Sequence, residues 1–123
     1  MTNDNRSLGQ VIYDARMKLK LSLRQAAKLL EITPSYLSDI ENDRRVPSED
    51  VLRRISALLK LDQDDMMARA GRLGDDALRY MMQTPAVGML FRKLAEKRTP
   101  GETVKELFDI ANKTAEKKKG QDR

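Results

Sequence analysis

An all-α fold follows from three features of this 123-residue sequence. Apolar residues recur with a period near 3.6 almost throughout, and no segment alternates as a strand does. Helix start signals recur along the chain: a small hydroxyl or carboxyl side chain followed closely by proline, an acid or glutamine. Aromatic residues make up only 4% against 40% hydrophobic overall, so the core must be built from Leu, Ile, Val, Ala and Met.

The first helix is predicted over residues 8–20, where Leu8, Val11, Ile12, Ala15 and Leu19 form one apolar stripe. Ser22-Leu23-Arg24-Gln25 reads as a capping box, in which hydroxyl and amide side chains satisfy free N–H groups reciprocally. It opens a second helix that ends near Leu30, with Ala26, Ala27 and Leu30 facing inward; the two alanines let another helix approach closely. After the short turn Glu31-Ile32-Thr33, Thr33 caps a third helix and Pro34 takes its first position, where a missing N–H is harmless. That helix carries Leu37 and Ile40 inward and runs to about Asn42. The loop Asp43-Arg44-Arg45-Val46-Pro47 leads to Ser48, which caps a fourth helix. Glu49 and Asp50 lie in its first turn, at the positive end of the dipole, and Val51, Leu52, Ile55, Leu58 and Leu59 form its apolar face. Asp62 starts a fifth helix through Met66, Met67 and Ala70, with Gly71 and Gly74 as stops.

Beyond Gly74 shorter helices are predicted over 75–82 and, after a Thr84 cap, over 85–97. Thr99, Pro100 and Glu102 form a strong start signal for a last one through Val104, Leu107, Phe108 and Ala111. The expected organisation is a helix-turn-helix unit over 1–74, a helical extension over 75–116 and a charged flexible tail over 117–123. Met66, Met67, Met81, Met82 and Met89 are read as core or packing residues.

The sequence contains neither cysteine nor histidine. That removes disulfides, thiolate metal sites, cysteine nucleophiles and the commonest general base at neutral pH. No paired carboxylates sit in an apolar setting, so no enzyme, metal or cofactor is expected. Asp62, Asp64 and Asp65 lack the glycine and terminal Glu of a calcium loop and read as helix-start acids. No apolar run approaches the roughly 20 residues that span a bilayer, and the polar first seven residues lack the apolar stretch of a signal peptide. A cytoplasmic protein without membrane contact is expected. The net charge of +5 permits a nucleic-acid partner, although charges nearly balance up to Ala70 and the excess lies later, including Lys117, Lys118 and Lys119.

Two amphipathic helices joined by a short turn are the geometry that presents a helix to the major groove. The run from Ser22 to Glu41, SLRQAAKLLEITPSYLSDIE, resembles the lambda-repressor/Cro-like (Xre) helix-turn-helix family. The Pro47-Ser48 pair and the two helices after it continue the likeness, over about residues 7–70. The resemblance implies a five-helix lambda-repressor-like DNA-binding domain followed by a C-terminal helical extension. It implies a sequence-specific, double-stranded-DNA-binding transcriptional regulator, expected to be a repressor. The third helix would read bases through Pro34, Ser35, Tyr36, Ser38 and Asp39. Arg24, Thr33, Asn42, Arg44 and Arg45 would meet phosphates, and Arg16 would pair structurally with Glu41.

Other roles stand beside these. Asp39 can pair with Arg44 or Arg45, Ser38 can pack on the second helix, Tyr36 can cover the core, and any single arginine can belong to a solvated face. Arg53 and Arg54 are read that way. Three positions depart from the family pattern. Leu23 replaces a glutamine that helps to fix a phosphate, and Glu31 and Asp43 replace glycines at the turn and after the third helix, where they can cost strain.

One such unit covers about half of a typical operator, so a homodimer is expected. Its contact would be the extension, where Val87, Leu90, Phe91 and Leu94, then Val104, Leu107, Phe108 and Ala111, form apolar stripes. The extension can instead fold back on its own five helices. A different class, an antitoxin-type interaction module, would use the same extension to bind a partner protein.

Overall fold

The computed structural model describes residues 4–121, with side chains described through residue 115. It contains α1 (Leu8–Lys18), α2 (Leu23–Leu30), α3 (Pro34–Glu41), α4 (Glu49–Leu59), α5 (Gln63–Arg69), α6 (Asp75–Gln83), α7 (Pro85–Glu96) and α8 (Gly101–Gln121). The described residues contain no strand. The chain divides into two compact units, the first ending at Asp75 and the second starting at Asp76. No described helix is long and apolar enough to cross a membrane.

The first unit is built around one core. Its fully buried side chains include Ile12, Leu30, Leu37, Ile40, Leu52 and Ile55, with Met66 from α5 and Pro47 from the loop. Ala26 and Ala27 are buried as well, and α2 packs on both α3 and α4. Small side chains there permit the close helix approach that the sequence suggests. Ser22, Thr33 and Ser48 act as the caps that the sequence suggests, and Ser7 caps α1 in addition: each accepts a hydrogen bond from the backbone N–H three residues on. Asp62 accepts from the N–H groups of Asp64 and Asp65. The Ser22–Gln25 capping box is closed in both directions, at 2.8 and 3.0 Å.

Helix α1 stops at Lys18, two residues before the expected end. Lys20 adopts a left-handed conformation with φ 58°, and Leu21 N–H turns back to the Arg16 carbonyl at 3.2 Å. This closure tilts Leu19 out to 38% exposure while Leu21 packs on the core. The same closure recurs at Glu31 with φ 58° and at Lys60 with φ 57°. There the following residues, Ile32 and Leu61, send their N–H groups back to Ala27 and Ser56 and rest on the core. Each is a Schellman turn with its accompanying apolar contact.

A charged pair is buried between α1 and α3. Arg16 donates from Nε to one Glu41 carboxylate oxygen at 2.7 Å and from Nη2 to the other at 2.9 Å. Its Nη1 donates to the Leu21 carbonyl at 2.9 Å. Only 9% and 6% of the two side chains are exposed, and the carboxylate raises the guanidinium pKa above its ordinary value. Arg54, expected on a solvated face, is half-buried: it keeps a surface pair with Asp50 at 3.1 Å and also donates to the carbonyl of Leu30 at the end of α2. Arg53 keeps an exposed position beside Glu49 and Asp50.

In the second unit no described residue of α6, α7 or α8 is buried. Met66 and Met67 take the core or packing role expected of them, whereas Met82 is 83% exposed and Met89 61%, so these two do not within this chain. Thr84 stands at the N-cap of α7 but its hydroxyl makes no cap bond. Thr99 does not close a capping box either. Its N–H closes α7 by returning to Leu94 at 2.9 Å after left-handed Arg98, and α8 begins only at Gly101. Helix α8 covers 117–121, part of the expected flexible tail; Asp122, Arg123 and the side chains of Lys117 to Lys119 lie outside the described residues.

Arg16→Ala or Glu41→Ala leaves the other charge buried without its partner, so each should cost about 3–5 kcal/mol. Urea unfolding followed by circular dichroism checks this, and a loss below about 1 kcal/mol would contradict the buried pair.

Candidate nucleic-acid interface

The exposed face of α3 is set by its own start. The Thr33 hydroxyl accepts from Tyr36 N–H at 3.1 Å, and Pro34 stands at the first helical position. Leu37 and Ile40 then point into the core, which leaves Pro34 and Ser35 exposed and Tyr36, Ser38 and Asp39 half-buried at the surface. Asn42 caps the far end, donating from Nδ2 to the Ser38 carbonyl at 2.8 Å.

Two side chains of the loop after α3 reach back to the edge of this face. Asp43 takes the left-handed conformation, φ 58°, and Arg44 N–H closes the helix by donating to the Asp39 carbonyl at 2.9 Å. Arg44 Nη1 lies 3.4 Å from the Asp39 carboxylate, the pairing that the sequence leaves open for Asp39. The Arg45 guanidinium lies 4.5 Å from the centre of the Tyr36 ring. Pro47 is fully buried and anchors the loop beyond. Arg24 stands apart from these pairs: it is exposed at the second position of α2 and makes no ion pair among the described residues.

The fold also brings Gln10 and Tyr13, which nothing in the sequence links to α3, beside it. Gln10 and Tyr13 from α1 and Leu23 from α2 line a cleft of about 400 Å³ with Ser38, Glu41 and Asn42 of α3 and its cap. Arg16 forms part of the same wall, with its guanidinium 5.3 Å from the Tyr13 ring centre. Gln10 and Tyr13 share a helix face by their spacing of three, but nothing local says which helix that face meets. Leu23, where the family pattern has glutamine, contributes an apolar edge and no amide.

The two unusual turn residues behave differently. Glu31 is exposed, and its carboxylate accepts no hydrogen bond among the described residues. Asp43 accepts from Gly9 N–H at 2.9 Å and from the Ser7 hydroxyl at 2.6 Å. Its carboxylate therefore offsets the conformational cost by holding the N-terminus of α1. Gly9 is required there, because a Cβ would lie 2.5 Å from the Glu41 carbonyl oxygen and 2.6 Å from that of Ile40.

A convex helix thus presents hydroxyls and a phenol, with exposed guanidinium groups beside it, on a frame of packed helices. Fold and site together define a lambda-repressor-like helix-turn-helix domain. A family model described as helix-turn-helix matches residues 12–64. The ImmF control region 10 kDa protein of Bacillus phage phi105 is 44% identical over 59 residues, 48% of this chain and 66% of that protein. The transcriptional regulator ClgR of Mycobacterium tuberculosis is 32% identical over 79 residues, 64% of this chain and 70% of that one. A crystal structure of SinR, a master regulator for biofilm formation, in complex with DNA is 31% identical. It covers 49% of this chain and 97% of that one, with a TM-score of 0.46. The chain belongs to the helix-turn-helix family. It spans between 46% and 66% of the length of the first curated relatives that it matches.

Glu31→Gly should stabilise the domain by about 1 kcal/mol, since glycine carries no penalty at positive φ. Asp43→Gly should not, because it removes both bonds to α1. Thermal melts of the two variants check this, and equal shifts would contradict the role given to the Asp43 carboxylate.

Proposed function

We propose that this chain is a sequence-specific double-stranded-DNA-binding transcriptional regulator, acting as a repressor in the cytoplasm. The observation that carries the reading is the exposed face of α3, held outward by the Thr33 cap and flanked by Arg44 and Arg45. A major groove accepts one helix, and side chains near the helix start reach base edges. Pro34, Ser35 and Tyr36 occupy that start. Ser35 and Tyr36 offer hydroxyl groups to bases, and the Tyr36 ring can also rest against a thymine methyl. Ser38 serves at the edge of the same surface. Asp39 is engaged by Arg44, so its part is to hold that arginine as much as to accept from a cytosine amino group.

Arg24, Asn42, Arg44 and Arg45 serve the sugar-phosphate backbone, which sets register and supplies much of the affinity. Thr33 contributes its hydroxyl hydrogen, since accepting the cap bond from Tyr36 N–H leaves the O–H free to donate to a phosphate oxygen. The rest of the chain recruits a second copy. Leu90 and Phe91 on α7 and Leu107 and Phe108 on α8 are each at least 40% exposed. Apolar surface of this extent marks an interaction face. A symmetric pair of chains would bury it and place two α3 helices on successive half-sites about one helical turn apart. Capture of a different protein by α6–α8 is the antitoxin-type alternative.

Selection of bound duplexes from a random library at near-physiological salt is expected to return a palindromic consensus. Tyr36→Ala should relax it at one position in each half-site, by roughly 5- to 100-fold in discrimination. Salt-sensitive binding without any consensus would overturn the reading. Sedimentation at micromolar concentration should show a dimer that Leu107→Asp/Phe108→Asp converts to a monomer with α1–α5 still folded. A wild-type monomer would leave the second unit to a foreign partner.

A further inference from the structure

We propose that Arg45 positions Tyr36 on the recognition surface and thereby sets base preference, a role distinct from attracting phosphate. This rests on the base-reading function given to α3. The stack is not a chance meeting of two long side chains. Arg45 lies in a loop pinned at both ends, on one side by the closure of α3 through Arg44 N–H and the Asp39 carbonyl and on the other by the fully buried Pro47. Arg44 is drawn to Asp39 at 3.4 Å, so the neighbouring Arg45 is left to lie over the ring at 4.5 Å. Tyr36 is held from below by its N–H bond to the Thr33 hydroxyl and, half-buried, packs against the core, so the guanidinium meets the part of the ring left at the surface.

A guanidinium on one face of the ring has two consequences. That face is occupied, so Tyr36 meets a base only through its hydroxyl, its edge or its opposite face. The cation also restricts the ring to the orientations that keep the stack, a bias of roughly 2- to 5-fold for an exposed pair. Which base suits the surface then depends on Arg45 even where Arg45 touches none. An arginine that only meets phosphate behaves otherwise, because phosphate contacts carry no sequence information.

The test uses the full chain and a panel of duplexes carrying single base-pair changes in the selected half-site. Affinities are measured for wild type, Tyr36→Ala, Arg45→Ala, Arg45→Lys and the Tyr36→Ala/Arg45→Ala double variant. Arg45→Ala is expected to lower discrimination about 2- to 5-fold at the base pair that Tyr36→Ala relaxes, and at no other. The double variant should discriminate no less than Tyr36→Ala alone. Arg45→Lys keeps the charge but lacks the planar group that stacks, so it should keep the salt dependence and recover only part of the preference. If Arg45→Ala instead weakens all duplexes alike, with the salt slope reduced by about 1 and the preference intact, Arg45 is a phosphate contact and the inference is overturned. If Tyr36→Ala itself leaves the preference unchanged, the base-reading function of α3 fails first, and the inference falls with it.

Discussion

The position of α3, and with it the whole recognition face, depends on one buried ion pair. Arg16 reaches from α1 to grip both oxygens of Glu41 near the end of α3 and also the Leu21 carbonyl in the turn to α2. Three elements are thus referred to a single planar group whose donors have fixed directions. Such a pair adds little net stability over an apolar pair of the same shape. Its geometric demand is stricter, since sliding α3 along α1 would strand a charge in the core. At the other end of the same contact Asp43 holds Gly9 N–H and Ser7, and the missing Cβ of Gly9 lets the backbones meet. The C-terminal end of α3 is therefore held at two points along α1, by Arg16 near its end and by Ser7 and Gly9 at its start, while Ile12, Leu37 and Ile40 are buried in the core that the two helices share.

The turns explain how so short a unit makes a core. Lys20, Glu31 and Lys60 each break a helix by a left-handed residue and deliver the next side chain, Leu21, Ile32 or Leu61, onto the core. Non-glycine residues cost about 1–2 kcal/mol in that conformation. The returned hydrogen bond and the apolar contact offset the cost. At Lys20 and Lys60 these closures carry no mark in the sequence, because only glycine announces positive φ, and at Glu31 the mark comes only from the family pattern, which has glycine there. Apolar spacing therefore carries α1 on to Lys20 and places Leu19 in its stripe, whereas the turn ends the helix earlier and exposes Leu19.

The two units differ in what holds them. Residues through Asp75 bury a core; from Asp76 onward the apolar stripes of α7 and α8 remain exposed. Helical periodicity reveals an apolar face but not what covers it. The methionines show the distinction within one residue type. Met66 is buried in the core, whereas Met82 and Met89 face outward, although the 3.6-residue spacing treats them alike. The start signals at Thr84 and Thr99 place the beginnings of α7 and α8, at Pro85 and Gly101, but not the cap bonds expected there. A threonine before a proline is competent to cap, but the Thr99 N–H is already committed to closing α7.

Much of the molecule was decided by the order of residues alone: the all-α class, the caps of α1 to α5, the inward faces of α2 and α3, and membership of the helix-turn-helix family. These depend on hydrogen bonds within one turn and on apolar spacing along one helix, both of which are local. The tertiary structure alone decided that Arg54 seals the end of α2, that Asp43 ties α3 to α1, that Gln10 and Tyr13 share a cleft with Ser38, and that Arg45 covers Tyr36. Each of these joins side chains whose separation in space is set by how helices and loops pack, and a charged side chain looks the same in sequence whether it meets water, a carbonyl or a ring.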